Sequence, residues 1–159
     1  MKLLKYLPSL LICLFIPLAI GGLSGFFTSS AISTWYVTLI KPSFNPPNFI
    51  FAPVWTTLFA LMGISLFMIW NSAKGTNRNN ALLIFTVQIV LNFIWSFLFF
   101  NFESPGLALI EIVMLWTSIL MMIIYFRRIN KIAAALQVPY LLWVSFASVL
   151  NSTIWYLNK

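Results

Sequence analysis

Hydrophobic residues in this chain come in unbroken stretches, without the two-residue alternation of a half-buried strand. Five such stretches follow one another: Tyr6 to Phe27, Phe51 to Trp70, Ala81 to Asn101, Gly106 to Phe126 and Ala133 to Leu157. At about 1.5 Å of rise per residue, some twenty helical residues cover the roughly 30 Å hydrocarbon core of a bilayer. Backbone polar groups in lipid must be satisfied within the protein, and continuous apolar runs satisfy them as helices. The pattern predicts an all-α integral membrane bundle of five transmembrane helices, forming a single domain over residues 1–159. With 62% hydrophobic and 7% charged residues in 159, too little polar sequence remains for a separate soluble domain.

The stretches are joined unequally. Residues 28–50 form a long connection holding Trp35, Tyr36, Lys41, Pro42, Phe44, Pro46 and Pro47. A disordered linker is polar and poor in aromatics; this one is predicted to fold onto the bundle end as a lid. The other connections are short, which makes consecutive helices antiparallel neighbours. Ser104 followed by Pro105 suits a helix start. Pro139, inside the fifth stretch, is expected to bend that helix. Gly21 and Gly25, four residues apart, are expected to permit close helix contact within the chain.

The net charge of +7 changes the picture only through its distribution. Lys2, Lys5, Lys74, Arg78, Arg127, Arg128 and Lys131 fall on one side of a five-span topology, and Lys41 and Lys159 on the other. These cations sit at membrane edges, so no nucleic-acid partner is expected. Seven against two places the N-terminus in the cytoplasm by the positive-inside rule, in a bacterial cell membrane. The segment around Ala19 to Gly22 has a signal-like character, but the apolar run continues to Phe27 and reads as the first span. Cys13 is the single cysteine, so no intrachain disulfide is possible.

This topology gives each residue a depth. Gln88, Asn92, Trp95, Ser96 and Phe99 share one face of the third helix, and Asn92, Trp95 and Ser96 lie near its outer end. Trp143, Ala147 and Asn151 share a face of the fifth span, with Ala147 leaving a gap beside Trp143. Trp55 lies one turn below the outer end of the second helix, and Trp35 and Tyr36 lie above in the lid. These residues point to one outer-half cavity of indoles and sparse amides, the chemistry of a site for a flat, mostly apolar ligand. Trp70 and Trp155 read as interface residues, and Trp116 as a packing or lipid-facing residue.

Three dense motifs carry a resemblance along the whole chain. They are Trp35-Tyr36-x-x-Leu39-x-Lys41-Pro42-Ser43-Phe44-x-Pro46-Pro47 with Phe51-Ala52-Pro53-Val54-Trp55; Leu91-Asn92-x-x-Trp95-Ser96 with Phe99-Phe100; and Pro139-Tyr140-x-x-Trp143-x-x-Phe146-Ala147 with Leu150-Asn151. The sequence resembles the tryptophan-rich sensory protein family, which includes the translocator proteins or peripheral benzodiazepine receptors. The resemblance implies a five-helix bundle binding porphyrins, notably protoporphyrin IX, and synthetic isoquinoline carboxamide or benzodiazepine ligands. It implies that Tyr36, Trp55, Asn92, Trp95, Trp143 and Ala147 line the pocket. It also implies light-dependent porphyrin breakdown in which Trp55 and Trp143 matter, and a homodimer. Leu150, Tyr156 and Lys159 fit the loose C-terminal sterol pattern of the animal relatives.

Three kinds of function are weighed against these residues. A tetrapyrrole sensor or carrier requires no cofactor, and the absence of histidine excludes a histidine-ligated haem. An iron-free porphyrin held by stacking fits, with its propionates within reach of Lys41 or lid amides; Lys41 reads more simply as an interface anchor. A proton-coupled exporter needs an ionisable residue deep in the bundle. Glu111 is the single candidate, more simply read as a snorkelling or helix-start carboxylate; Glu103 belongs to the third loop. An enzyme with acid-base chemistry has nothing but these two carboxylates to draw on, with no nucleophile or metal cluster. Light-driven porphyrin chemistry would need only a photosensitising ligand beside oxidisable indoles.

Overall fold

A computed structural model of the chain describes residues 5–159; Lys2, one of the cations counted toward orientation, lies outside the described residues. The apolar stretches form α1 (Leu7–Ser33), α2 (Asn48–Trp70), α3 (Thr76–Ser96, continued by a π-helical turn, Phe97–Asn101), α4 (Pro105–Arg127), α5 (Lys131–Ala135) and α6 (Val138–Leu157). Taken with its flanking turns, each of the five apolar segments is long enough to cross a bilayer. No strand occurs among the described residues. The protein is all-α and has the make-up of a multi-pass integral membrane protein.

Around the bundle α1 packs on α2, α2 touches α5, α5 and α6 pack on α4, α4 on α3, and α3 closes back on α1. Its interior is an apolar column made by inward stripes. From α2 come Leu58, Met62, Leu66 and Ile69; from α3 come Ala81, Phe85 and Ile89; from α4 come Ile112, Leu115, Ile119, Met122 and Phe126. Their spacings of three and four residues mark one face per helix. The opposite faces present residues such as Phe15, Leu83, Ile110 and Leu142 outward, as lipid contact requires.

The connection after α1 is shorter than the apolar pattern suggests. α1 continues to Ser33 and α2 begins at Asn48, leaving residues 34–47 between them where 28–50 was expected. The hydroxyls of the added turns are satisfied on the helix itself. Thr28 Oγ1 donates to the Ser24 carbonyl at 2.8 Å, Ser29 Oγ to that of Phe26 at 2.8 Å, and Ser33 Oγ to that of Ser30 at 2.9 Å. Such bonds satisfy the hydroxyls within the helix without themselves favouring it.

Pro139 starts a helix instead of bending one. Asn130 caps α5 by accepting from the Ile132 and Ala133 amides at 2.9 and 3.1 Å. The chain then turns through Leu136 and Gln137, and Pro139 falls in the first turn of α6. A missing N–H costs nothing there, because first-turn amides lack intrahelical partners. Ser65 Oγ donates to the Ala133 carbonyl at 2.7 Å and anchors this break against α2. α4 begins at Pro105 as the sequence suggests, although the Ser104 side chain makes no capping bond.

The 34–47 segment folds over one end of the bundle. Tyr36, in a single 3-10 turn (Tyr36–Thr38), is 5% exposed and packs against Phe99 and Phe100. Its hydroxyl donates to Asn45 Oδ1 at 3.0 Å. Burial pushes the Tyr36 phenol above its ordinary pKa against a smaller opposing effect of the Asn45 bond, so the phenol remains a donor at neutral pH. Asn158, after α6, pairs with Ile40 in both directions: it accepts from the Ile40 amide at 2.9 Å and donates to the Ile40 carbonyl at 2.9 Å.

Candidate functional site

Beneath that lid the bundle opens into a cavity of about 550 Å3, inside the roughly 300–1,000 Å3 range of small-molecule sites. The local sequence of four elements explains it. On α2, Phe51, Trp55 and Phe59 succeed one another at intervals of four and stand on one face. Trp55 stacks on Phe59, centroids 5.5 Å apart at 28°, and meets the Tyr140 ring edge-on at 6.2 Å. On α6, Trp143 sits edge-on to Phe51 at 5.9 Å, and one turn later Ala147 offers only a methyl group.

Trp95 with Phe99, and Ser96 with Phe100, stand at intervals of four on neighbouring rows of α3 and its continuation, and all four line the cavity. Phe99 and Phe100 lie in the π-helical turn, where Phe102 N–H bonds to the Phe97 carbonyl at 2.9 Å, five residues back. Such insertions in helices are frequent at functional sites. Trp95 stacks on Phe99, centroids 5.3 Å apart at 25°.

Hydrogen bonds fix the indoles and amides. Trp95 Nε1 donates to Asn151 Oδ1 at 3.1 Å, and Asn151 Nδ2 donates to the Pro105 carbonyl at 2.8 Å, tying α3, α6 and α4 together. Asn92 Nδ2 donates to the Tyr140 hydroxyl at 2.9 Å. Both amides thus hold helices together and contribute polar atoms to an otherwise apolar wall. Lys41 Nζ lies 4.6 Å over the Tyr36 ring and donates to the Leu39 carbonyl at 3.3 Å. Lys41 itself is not among the residues that line the cavity.

Seven of the eight residues singled out as ligand contacts line this one cavity: Tyr36, Trp55, Asn92, Trp95, Trp143, Ala147 and Asn151. Trp35 does not. It sits on the far side of Phe99, edge-on at 5.7 Å, because the short turn sends neighbouring side chains in different directions. Gln88 shares the α3 stripe but lies deeper, fully buried and outside the lining. Of the three residues of the sterol pattern, Tyr156 and Lys159 lie together, with Lys159 Nζ 5.6 Å over the Tyr156 ring and 4.0 Å over Trp155, whereas Leu150 is buried in the cavity wall. Six helical residues separate Leu150 from Tyr156, which turns them roughly 120° apart.

Trp116 packs against the core and stays out of the cavity lining, as expected, and its Nε1 donates to Ser145 Oγ at 2.8 Å between α4 and α6. Two other expectations need correction. Glu111 is no snorkelling carboxylate: it is 3% exposed on the inward stripe of α4, and neither oxygen has a hydrogen-bond partner. Of the glycine pair, only Gly21 makes a close contact, where a Cβ would collide with the Phe59 ring; Gly25 faces open space. The wall contributed by α1, from Gly21 and Gly22 through Ser24, Gly25 and Thr28, was missed as a ligand surface. Its signal was the density of small residues, which reads as helix packing until the neighbour is known to stand away.

These features define a class of protein: a multi-pass membrane bundle enclosing a ligand-sized aromatic cavity capped by its own loop. The chain belongs to the TspO/MBR family, whose sequence profile matches residues 13–157. It is similar to the tryptophan-rich protein TspO of Chlorobaculum tepidum, 43% identical over 155 residues that cover 97% of this chain and 98% of that one. The tryptophan-rich protein TspO of Archaeoglobus fulgidus is 40% identical over 158 residues, 99% of each chain. The translocator protein of Sus scrofa is 33% identical over 146 residues, 88% of this chain and 86% of that one.

Proposed function

We propose that this protein is a membrane receptor or sensor that binds porphyrins, protoporphyrin IX in particular, and similar flat hydrophobic molecules in the cavity under the lid. The observation that carries this reading is the convergence of Trp55, Trp95 and Trp143, from three different helices, on one hollow closed by Tyr36. A macrocycle gains stacking and apolar contact from the indoles, each aromatic pair contributing about 0.5–1.5 kcal/mol beyond area burial. Asn92 and Asn151 orient its polar edge, and Lys41 suits a propionate by charge-assisted hydrogen bonding. The excess of cations at the α2–α3 and α4–α5 connections supports an orientation with the N-terminus cytoplasmic and the cavity in the outer leaflet of a bacterial cell membrane.

Titration of protoporphyrin IX into detergent-purified protein, followed by tryptophan quenching with an isoquinoline carboxamide as competitor, tests this. Saturable one-to-one binding that Ala147→Leu abolishes is the expected result. Quenching that rises without limit, as in empty micelles, contradicts it. Where bound porphyrin also bleaches in light, the indole of Trp143 serves as an oxidisable neighbour, and Trp143→Phe slows bleaching more than it weakens binding. Equal bleaching rates would remove that role.

A specific observation supports a second reading, a proton-coupled exporter. Glu111 is an intramembrane carboxyl group with no protein partner, the kind of residue that marks proton pathways. Loss of transport in Glu111→Gln, with porphyrin affinity intact, would favour it.

A further inference from the structure

Two boundaries of the cavity can be read residue by residue, the lid and the seam between α1 and α2. Toward water, the lid is held by Tyr36 on Asn45, by the paired bonds between Ile40 and Asn158, and by Phe44 edge-on to Phe146 at 6.4 Å. Toward lipid, the seam between α1 and α2 changes along its length. At the end far from the lid the helices meet backbone to backbone: a Cβ on Gly63 would lie 2.7 Å from Leu14 Cα and 2.9 Å from the Cys13 carbonyl. One step nearer the lid, Gly21 fits against the Phe59 ring. Beyond that the contact ends, and a Cβ on Gly22 or Gly25 meets nothing within 4 Å.

The antiparallel register fixed by Gly63 against Leu14 and Gly21 against Phe59 brings Gly22 and Gly25 to the level of Thr56 and Ala52. All four are exposed, and all four line the cavity. With nothing within 4 Å of a Cβ at either glycine, the seam is unfilled at this level. Its rims are two glycines on one side and an alanine and a threonine on the other. The threonine hydroxyl is already donated to the Ala52 carbonyl at 2.8 Å, so the rim presents no free donor to lipid.

We infer that this slot between α1 and α2 is the portal through which the ligand enters and leaves, sideways from the hydrocarbon phase, while the lid stays shut. The inference rests on the cavity being the ligand site and adds the route and its selectivity. An apolar macrocycle concentrates in the bilayer, out of water, and a slot bordered by small residues passes a flat molecule edge-on. Bulky or branched molecules of equal hydrophobicity are excluded at the rim and not in the cavity. Gly22 and Gly25 are therefore specificity-determining through their lack of side chains.

Because a side chain at either glycine meets open space, the slot can be obstructed without forcing the helices apart. The test reconstitutes wild type, Gly22→Leu/Gly25→Leu and, on the opposite rim, Thr56→Phe in phosphatidylcholine vesicles. Protoporphyrin IX is delivered from preloaded donor vesicles, and association, dissociation and equilibrium affinity are read by tryptophan quenching. In both rim variants association and dissociation are expected to slow together by about tenfold, the signature of a gated route; because these residues also line the cavity, a side chain that merely spoiled the lining would instead speed dissociation, and that result counts against the portal. Asn158→Ala, which unpins the lid, leaves the association rate unchanged. Rim variants that bind at the wild-type rate, or a lid variant that speeds association, would overturn the portal while leaving the cavity's role intact. A wild type that binds no porphyrin would instead overturn the functional reading, and the portal with it.

Discussion

The two halves of this bundle are built from the same helices and obey different packing rules. Away from the lid the interior is solid: Met62, Ile69, Ala81, Met122 and Phe126 are fully buried, Phe85 lies parallel to Phe126 with centroids 6.4 Å apart, and α1 and α2 touch through Gly63. Toward the lid the interior is larger in aromatic mass and yet hollow. Rings there stand on one another around a space and do not interlock across it. Side-chain size alone does not fill a core. Big rings pinned by hydrogen bonds at their rims, as Trp95 is by Asn151, hold helices apart, whereas a glycine in register with a neighbouring backbone lets them close.

This contrast can be broken by experiment, and the largest effect is expected in the solid half. Phe126→Ala leaves a void among groups that cannot collapse and should cost roughly 3–5 kcal/mol, seen as a lowered unfolding midpoint in detergent. Trp143→Ala, an equally drastic truncation, faces space that already exists. Its unfolding midpoint should fall by less than half as much while protoporphyrin affinity drops by roughly tenfold, about 1.4 kcal/mol. Equal destabilisation by the two would erase the distinction between the halves. A smaller change sharpens it: Trp95→Phe keeps the stack on Phe99 and loses the bond to Asn151, for about 0.5–1.5 kcal/mol, measurable as weaker binding with helix content unchanged. Smallest is Asn158→Ala. It removes both bonds to Ile40 at a solvent-facing position, costs about 1 kcal/mol or less, and should leave affinity nearly intact while raising proteolytic cleavage within residues 34–47.

The spans were the most legible part. Apolar stretches define all five to within about six residues at each end, whereas the inward apolar stripes of α2 and α4 emerge only in the fold. The cavity was legible as a set of residues more than as a shape. Asn92, Trp95, Trp143, Ala147 and Asn151 follow helical spacing, so their convergence is a matter of period and depth. What escaped the sequence depends on hydrogen bonds it does not display. α1 runs on past Thr28 through a serine and threonine run; an i to i+5 bond follows Phe97; a turn at Leu136 and Gln137 converts Pro139 from a kink to a first-turn residue. Trp35 and Tyr36 are adjacent and chemically alike, and only the 3-10 turn decides that the second is buried beneath the lid while the first is not. Glu111 was misjudged for a different reason: no rule places a partnerless carboxyl group inside an apolar stripe, and the sequence offers no second charge to explain it.

The measurement that bears most directly on the cavity as the ligand site is photo-crosslinking with a diazirine-bearing porphyrin in vesicles, mapped by peptide mass spectrometry. Labels on residues 48–59, 92–100 and 143–151, displaced by excess protoporphyrin IX, are the expected result. Labels confined to lipid-facing positions such as Phe15, Leu83 and Leu142, with the cavity lining untouched, would contradict it.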